Sequence, residues 1–143
     1  MIEVIVEDEA WRAVGDAEAL AESAARAAAG GAEKGDIAIL LADDDAVRVL
    51  NARFRGKDAA TNVLAFPAAP GEDRLGDVVL AYGVCEREAG EQGKALGDHL
   101  THLVAHGVLH LLGYDHDSDA EAEAMEAAER RILAGLGVSD PYA

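Results

Sequence analysis

The segment His106-Gly107-Val108-Leu109-His110-Leu111-Leu112-Gly113-Tyr114-Asp115-His116 sets three histidines around a glycine. His106 and His110 are four residues apart, one turn of an α-helix, so their side chains leave the same face. A helix is predicted over residues 98–112, capped by Asp98 and stopped by Gly113. On it His99, His102, His106 and His110 fall within about 80° of one another. Leu100, Leu103, Val104, Val108, Leu111 and Leu112 form a broad apolar face beside them. Gly113 can take the left-handed conformation that ends a helix and reverses the chain. His116 then swings back toward the spot faced by His106 and His110.

Three neutral imidazoles suit one zinc ion, with nitrogen at roughly 2.0–2.1 Å and a fourth position left for water. Such an ion lowers the pKa of that water to around 7. A structural zinc usually closes its shell with four protein ligands, commonly cysteines. Cys85 is the sole cysteine and reads as a buried hydrophobe, so an open catalytic site is expected. His99 and His102 are not assigned as ligands. Asp115 either orients a ligand imidazole or caps the next helix. The spacing matches the metzincin pattern H-E-x-x-H-x-x-G-x-x-H except at Gly107, where those proteases carry their general base. Glycine accepts no proton, which weighs against ordinary peptide hydrolysis, although a metal-dependent hydrolase of another substrate, peptide included, stays open.

Working outward, Ile2–Val6 alternates apolar and acidic residues and reads as a strand. Residues 9–29 read as one helix with Trp11, Val14, Ala17 and Leu20 in a stripe, stopped by Gly30-Gly31. A strand over 36–41 follows. Asp43, Asp44 and Asp45 then suit the start of a helix that aligns Val47, Leu50 and Phe54. Residues 62–66 and 77–82 are two further strands, separated by Pro67, Pro70 and Gly71. From Val84 onward the pattern is helical. The order β-α-β-α-β-β-α-α-α predicts an α/β (α+β-like) fold: a small mixed four-stranded sheet covered by about five helices, one of them a metzincin-like zinc helix. Trp11, Phe54 and Phe66 are expected in the core, Tyr114 in packing, Asp77 in a structural role, and Thr61 and Asn62 as caps or cleft lining.

The chain has 143 residues, half of them apolar, which fits one domain spanning residues 1–143. No apolar run reaches the roughly 18 residues of a membrane span, and the N-terminus lacks the basic region of a secretory signal. A cytoplasmic location is the resulting expectation. Twelve Lys and Arg against 28 Asp and Glu give a net charge of −16, which repels polyanions at long range. Yet Arg48, Arg53, Arg55 and Lys57 place a third of the cations within ten residues. A positive groove is therefore expected near Arg55, with the acids on the opposite face.

The same histidine segment resembles the signature of the YbeY endoribonucleases, rRNA maturation enzymes of bacteria. LNARFRGKDAATNVLAFP (50–67) resembles that family's L-N-x-x-[FY]-R-x-K-D-x-x-T-[DN]-V-L-S-F-P block, and LGDVVL (75–80) its L-G-D-[IV] strand. Asn62 stands where Asp is common and Ala65 where Ser is common. The acidic AEAEAMEAAERRIL stretch is similar to the helix after the third histidine. The resemblance covers most of residues 36–136. It implies single-strand-specific RNA cleavage with one zinc ion held by His106, His110 and His116. It also implies action on the rRNA precursor, at the 3′ end of 16S rRNA and in ribosome quality control, with the small ribosomal subunit or its proteins as partners. Arg55 matches the family's functional arginine. A guanidinium can hold two phosphate oxygens by paired hydrogen bonds, so Arg55 is the candidate phosphate clamp. With six aromatics in all, recognition would rest on phosphate contacts and a shaped groove rather than on extended base stacking. The remaining alternative is a non-catalytic ribosome-associated module whose metal only holds the helix end.

Overall fold

The computed structural model describes residues 1–30 and 35–142. Its strands are β1 (Ile2–Val6), β2 (Asp36–Ala42), β3 (Val63–Pro67) and β4 (Arg74–Ala81). Its α-helices are α1 (Ala17–Ala29), α2 (Asp44–Arg55), α3 (Tyr82–Gln92), α4 (Leu96–Leu111) and α5 (Asp119–Gly135). Among the described residues the strands form one sheet in the order β1-β2-β4-β3. β1 and β4 run parallel to β2, and β3 is antiparallel to β4. The mixed α/β architecture expected from the sequence is therefore present.

Period-2 alternation sorts the central strands between two faces. Ile37, Ile39 and Leu41 of β2 and Val78 and Leu80 of β4 pack with α1 and α4 around buried Trp11. Leu40 and Ala42, with Val79 and Ala81, pack on the other face against Val47 and Leu50 of α2. α4 is apolar over most of its circumference because the sheet, α1, α3 and α5 all touch it. Its C-terminal end opens to the larger of two clefts that α4 lines among the described residues.

Three local expectations are corrected. The single helix over residues 9–29 is a 3-10 helix, Glu9–Val14, and then α1, each with its own aspartate cap, Asp8 and Asp16. Gly15 between them has φ 90°, a conformation that a helix interior does not contain. Gly30 is the left-handed cap of α1, while Gly31 lies outside the described residues. α4 begins at Leu96 rather than at Asp98. Ala95 precedes it without a side-chain cap, and Asp98 sits in the first turn, where its charge suits the helix dipole. Phe54 is 58% exposed, with its ring edge against Phe66 of β3, in a last turn of α2 whose residues 52–55 all face solvent.

Gly107 explains how closely α4 lies on the sheet. A Cβ there would stand 2.6 Å from Val78 Cγ1, so a side chain at this position displaces the helix from β4.

Candidate functional site

The C-terminal end of α4 opens into a cleft of about 970 Å³, bordered by the end of α2, β3 and the loop after α4. His106 and His110 project from successive turns, with Nε2 atoms 3.2 Å apart. Gly113 has φ 100° and donates its N–H to the His110 carbonyl, while Tyr114 N–H bonds the Leu109 carbonyl. This glycine turn carries His116 back over the helix end. The His116 ring centroid lies 5.2 Å from that of His110 and 6.2 Å from that of His106. The three rings therefore lie close together at the end of α4.

Among the described residues the ligand atoms that lie within 4.8 Å of one another come from His110, Asp115 and His116; His106 stands outside this set and, of its members, meets His110 alone, Nε2 to Nε2. The Asp115 carboxylate accepts the N–H of His116 at 2.7 Å. The helix-capping alternative for Asp115 does not hold, because Ser118 caps α5. Nitrogen donors with one adjacent carboxylate are a set that suits zinc. Burial and the neighbouring imidazoles of His106 and His116 hold His110 below the usual histidine pKa, which favours the neutral ring with one nitrogen lone pair free for a cation.

Glu129 approaches the cluster from α5, a contact that spacing along the chain does not predict. Its carboxylate is fully buried, and Oε1 lies 2.5 Å from His106 Nδ1. Oε2 accepts a hydrogen bond from the Tyr142 hydroxyl. Burial pushes this carboxyl upward, but its contacts with His102, His106 and Tyr142 outweigh burial and lower its pKa to about 2. One sequence signal was available: Glu129 falls in register with the buried Met125, Ala128 and Leu133 of α5, so it is an acid on an apolar face. His99 and His102 stay outside the cluster. His99 Nε2 pairs with Glu88 at 2.8 Å, and His102 Nε2 lies 3.6 Å from Glu129.

Arg55 lines the cleft with Lys57. Its Nη2 donates to the Ala65 carbonyl at 2.8 Å, and its guanidinium lies over the Phe66 ring at 5.6 Å. It is thereby tethered to β3 rather than free in solvent. Buried Asn51 donates to the Ala59 carbonyl at 2.7 Å and holds the loop carrying Lys57. Thr61 and Asn62 line the cleft, and Asn62 Nδ2 donates to Glu88 at 3.1 Å, a bond that an aspartate could not make at neutral pH. Tyr114 also lines the cleft, 36% exposed. Asp77 pairs with Arg74 within β4. The groove expected to be positive is formally balanced, since Arg55 and Lys57 are matched by Asp115 and Asp117. A bound divalent cation would tip it positive.

Fold and cleft together define a small mixed-sheet α/β domain with a histidine cluster at the end of its central helix. The family model described as Endoribonuclease YbeY matches residues 6–137. A relative from Maricaulis maris, "Endoribonuclease YbeY", is 52% identical over 145 residues, covering 99% of this chain and 91% of its own. One of the same name from Azorhizobium caulinodans is 50% identical, covering 99% and 96%. Another from Rhodopseudomonas palustris strain HaA2 is 50% identical, covering 99% and 80%. The solution structure of TM1509 from Thermotoga maritima matches with a TM-score of 0.59 at 26% identity, over 99% of this chain and 98% of that one. The chain belongs to the YbeY endoribonuclease family. Among the described residues no helix is long and apolar enough to cross a membrane.

Proposed function

We propose that this single domain is a zinc-dependent, single-strand-specific endoribonuclease that hydrolyses phosphodiester bonds of rRNA precursor in the cytoplasm. Its roles are 16S rRNA 3′-end maturation and ribosome quality control, with the small ribosomal subunit or its proteins as partners. The observation that supports the reading is the close approach of the His106, His110 and His116 rings, with ligand atoms of His110, Asp115 and His116 within 4.8 Å of one another, in a cleft that Arg55 also lines. His106, His110 and His116 would hold the ion. When bound, zinc supplies a Lewis acid and a means of activating water at neutral pH.

The chain's own residues do the remainder. Arg55 presents a fixed fork to the equatorial phosphate oxygens on which charge builds during cleavage, and Lys57 adds attraction for the flanking backbone. The tether to Ala65 holds the Arg55 guanidinium at the cleft wall, which limits the ordering needed when RNA arrives. A bound ion would offset Asp115 and Asp117, which line the cleft and would otherwise repel phosphate.

Peptide hydrolysis is the weaker reading. The position that carries the general base in metzincins is Gly107, and it abuts Val78 too closely for a side chain. The deciding experiment couples metal analysis to cleavage of single-stranded and duplex RNA by the wild type and His110→Ala. One zinc per chain with single-strand cleavage, both lost in a folded variant, is the expected result. Cleavage that survives in the metal-free variant rejects the catalytic assignment.

A further inference from the structure

Resting on that reading of the metal site, we infer that Tyr142, in the segment after α5, is a positioning residue for the ligand imidazole of His106, acting through Glu129. Glu129 has two carboxylate oxygens and three neighbours. Oε1 faces His106 Nδ1, Oε2 takes the Tyr142 hydroxyl, and His102 Nε2 stands 3.6 Å from Oε2. Neither ring nitrogen of His102 has a hydrogen-bond partner among the described residues, although both are buried. Two imidazoles of α4, one turn apart, thus flank a single buried carboxylate.

The Tyr142 hydroxyl decides between them. By donating to Oε2 it fixes the plane of the carboxylate, with His102 Nε2 held at 3.6 Å, beyond a hydrogen bond. Oε1 is then left to accept the Nδ1–H of His106. A histidine that donates from Nδ1 carries its lone pair on Nε2, the nitrogen turned toward His110 and the cleft. Removal of the hydroxyl lets the carboxylate turn toward His102 and frees His106 to exchange between tautomers.

The segment is built to hold this tyrosine in place. Val138 N–H bonds the Leu133 carbonyl, which folds the chain back along α5. Arg130 pairs with Asp140 at 3.1 Å and lies over the Tyr142 ring at 5.3 Å. Asp140 Oδ1 accepts the Tyr142 N–H at 2.8 Å. The Tyr142 ring also meets that of His102 edge to face, with centroids 5.8 Å apart.

Tyr142→Phe keeps these ring contacts and deletes only the hydroxyl. In the metal-free proteins, nitrogen-15 NMR of the histidine rings reports the His106 tautomer directly. The wild type is expected as the Nδ1–H form and Tyr142→Phe as a mixture. Zinc affinity, read by competition with a chromogenic chelator, should fall about three- to tenfold in Tyr142→Phe and roughly 10–100-fold in Glu129→Gln, the usual range for residues that orient a ligand. An unchanged tautomer in Tyr142→Phe overturns the inference, as does an unchanged zinc affinity. A wild type that takes up no zinc would sink the metal site, and the tautomer measurement would still decide the role of Tyr142.

Discussion

Glu129 Oε1 lies 2.5 Å from His106 Nδ1, linking the interior of α5 to the histidine cluster at the end of α4. The carboxylate is fully buried, so its loss leaves both a cavity and an imidazole N–H without an acceptor. Glu129→Ala is expected to lower unfolding free energy by about 1–3 kcal/mol. Urea denaturation of the metal-free protein measures this apart from any metal contribution, and a neutral outcome would show that the contact carries no stability.

Arg55→Lys keeps a positive charge but loses the planar fork and the bond to Ala65. Cleavage of a single-stranded oligonucleotide is expected to fall at least tenfold, about 1.4 kcal/mol of transition-state stabilisation, while zinc content stays unchanged. Equal turnover with metal in place would remove Arg55 from the mechanism.

A chelator should abolish cleavage by the wild type, and added zinc should restore it. Because trace contaminating nucleases give false activity, His110→Ala prepared in parallel must stay inactive after the same zinc addition. Restoration in the variant would trace the activity to another protein.

Gly107→Ala places a methyl group 2.6 Å from Val78 Cγ1. Overpacking of this kind costs about 1–3 kcal/mol. A lowered thermal midpoint is expected, and Gly107→Ala combined with Val78→Ala should recover part of it. A single variant as stable as the wild type would show that α4 lifts from the sheet freely.

The Cys85 thiol is buried, with Sγ 3.6 Å from the Asn62 carbonyl, and burial, aided by the charges of Glu88 and Asp44, pushes its pKa up to about 12. The thiolate is the reactive form, and its fraction grows only as pH approaches that value. At pH 8 the native protein should react with a disulfide reagent far more slowly than the urea-unfolded protein. Equal rates would mean that the α3–β4 region opens readily.

Much of the candidate site could be read before folding was considered, because it is local. One helical turn separates His106 from His110, and a glycine beyond the helix end returns His116, so spacing alone predicts the cluster. The strands were legible as short apolar, β-rich runs, alternating only in β1, but such runs in β2 and β4 do not report which side chains face each layer. The break at Gly15 is hidden in the sequence because an apolar stripe runs on either side of it. The exposure of Phe54 is not legible because helical register groups it with Val47 and Leu50 but cannot show that the last turn of α2 is left uncovered.

Sequence by itself determined the element order, the mixed α/β class and which histidines share a face, since these follow from backbone periodicity within one or two turns. Tertiary structure alone decided that Glu129, 23 residues from His106, reaches its Nδ1, and that Tyr142 reaches Glu129. It also decided that Arg55 is pinned to β3. Those partners arrive from other elements, and the packing of helices against a sheet, not the spacing of residues along the chain, sets the distances between them.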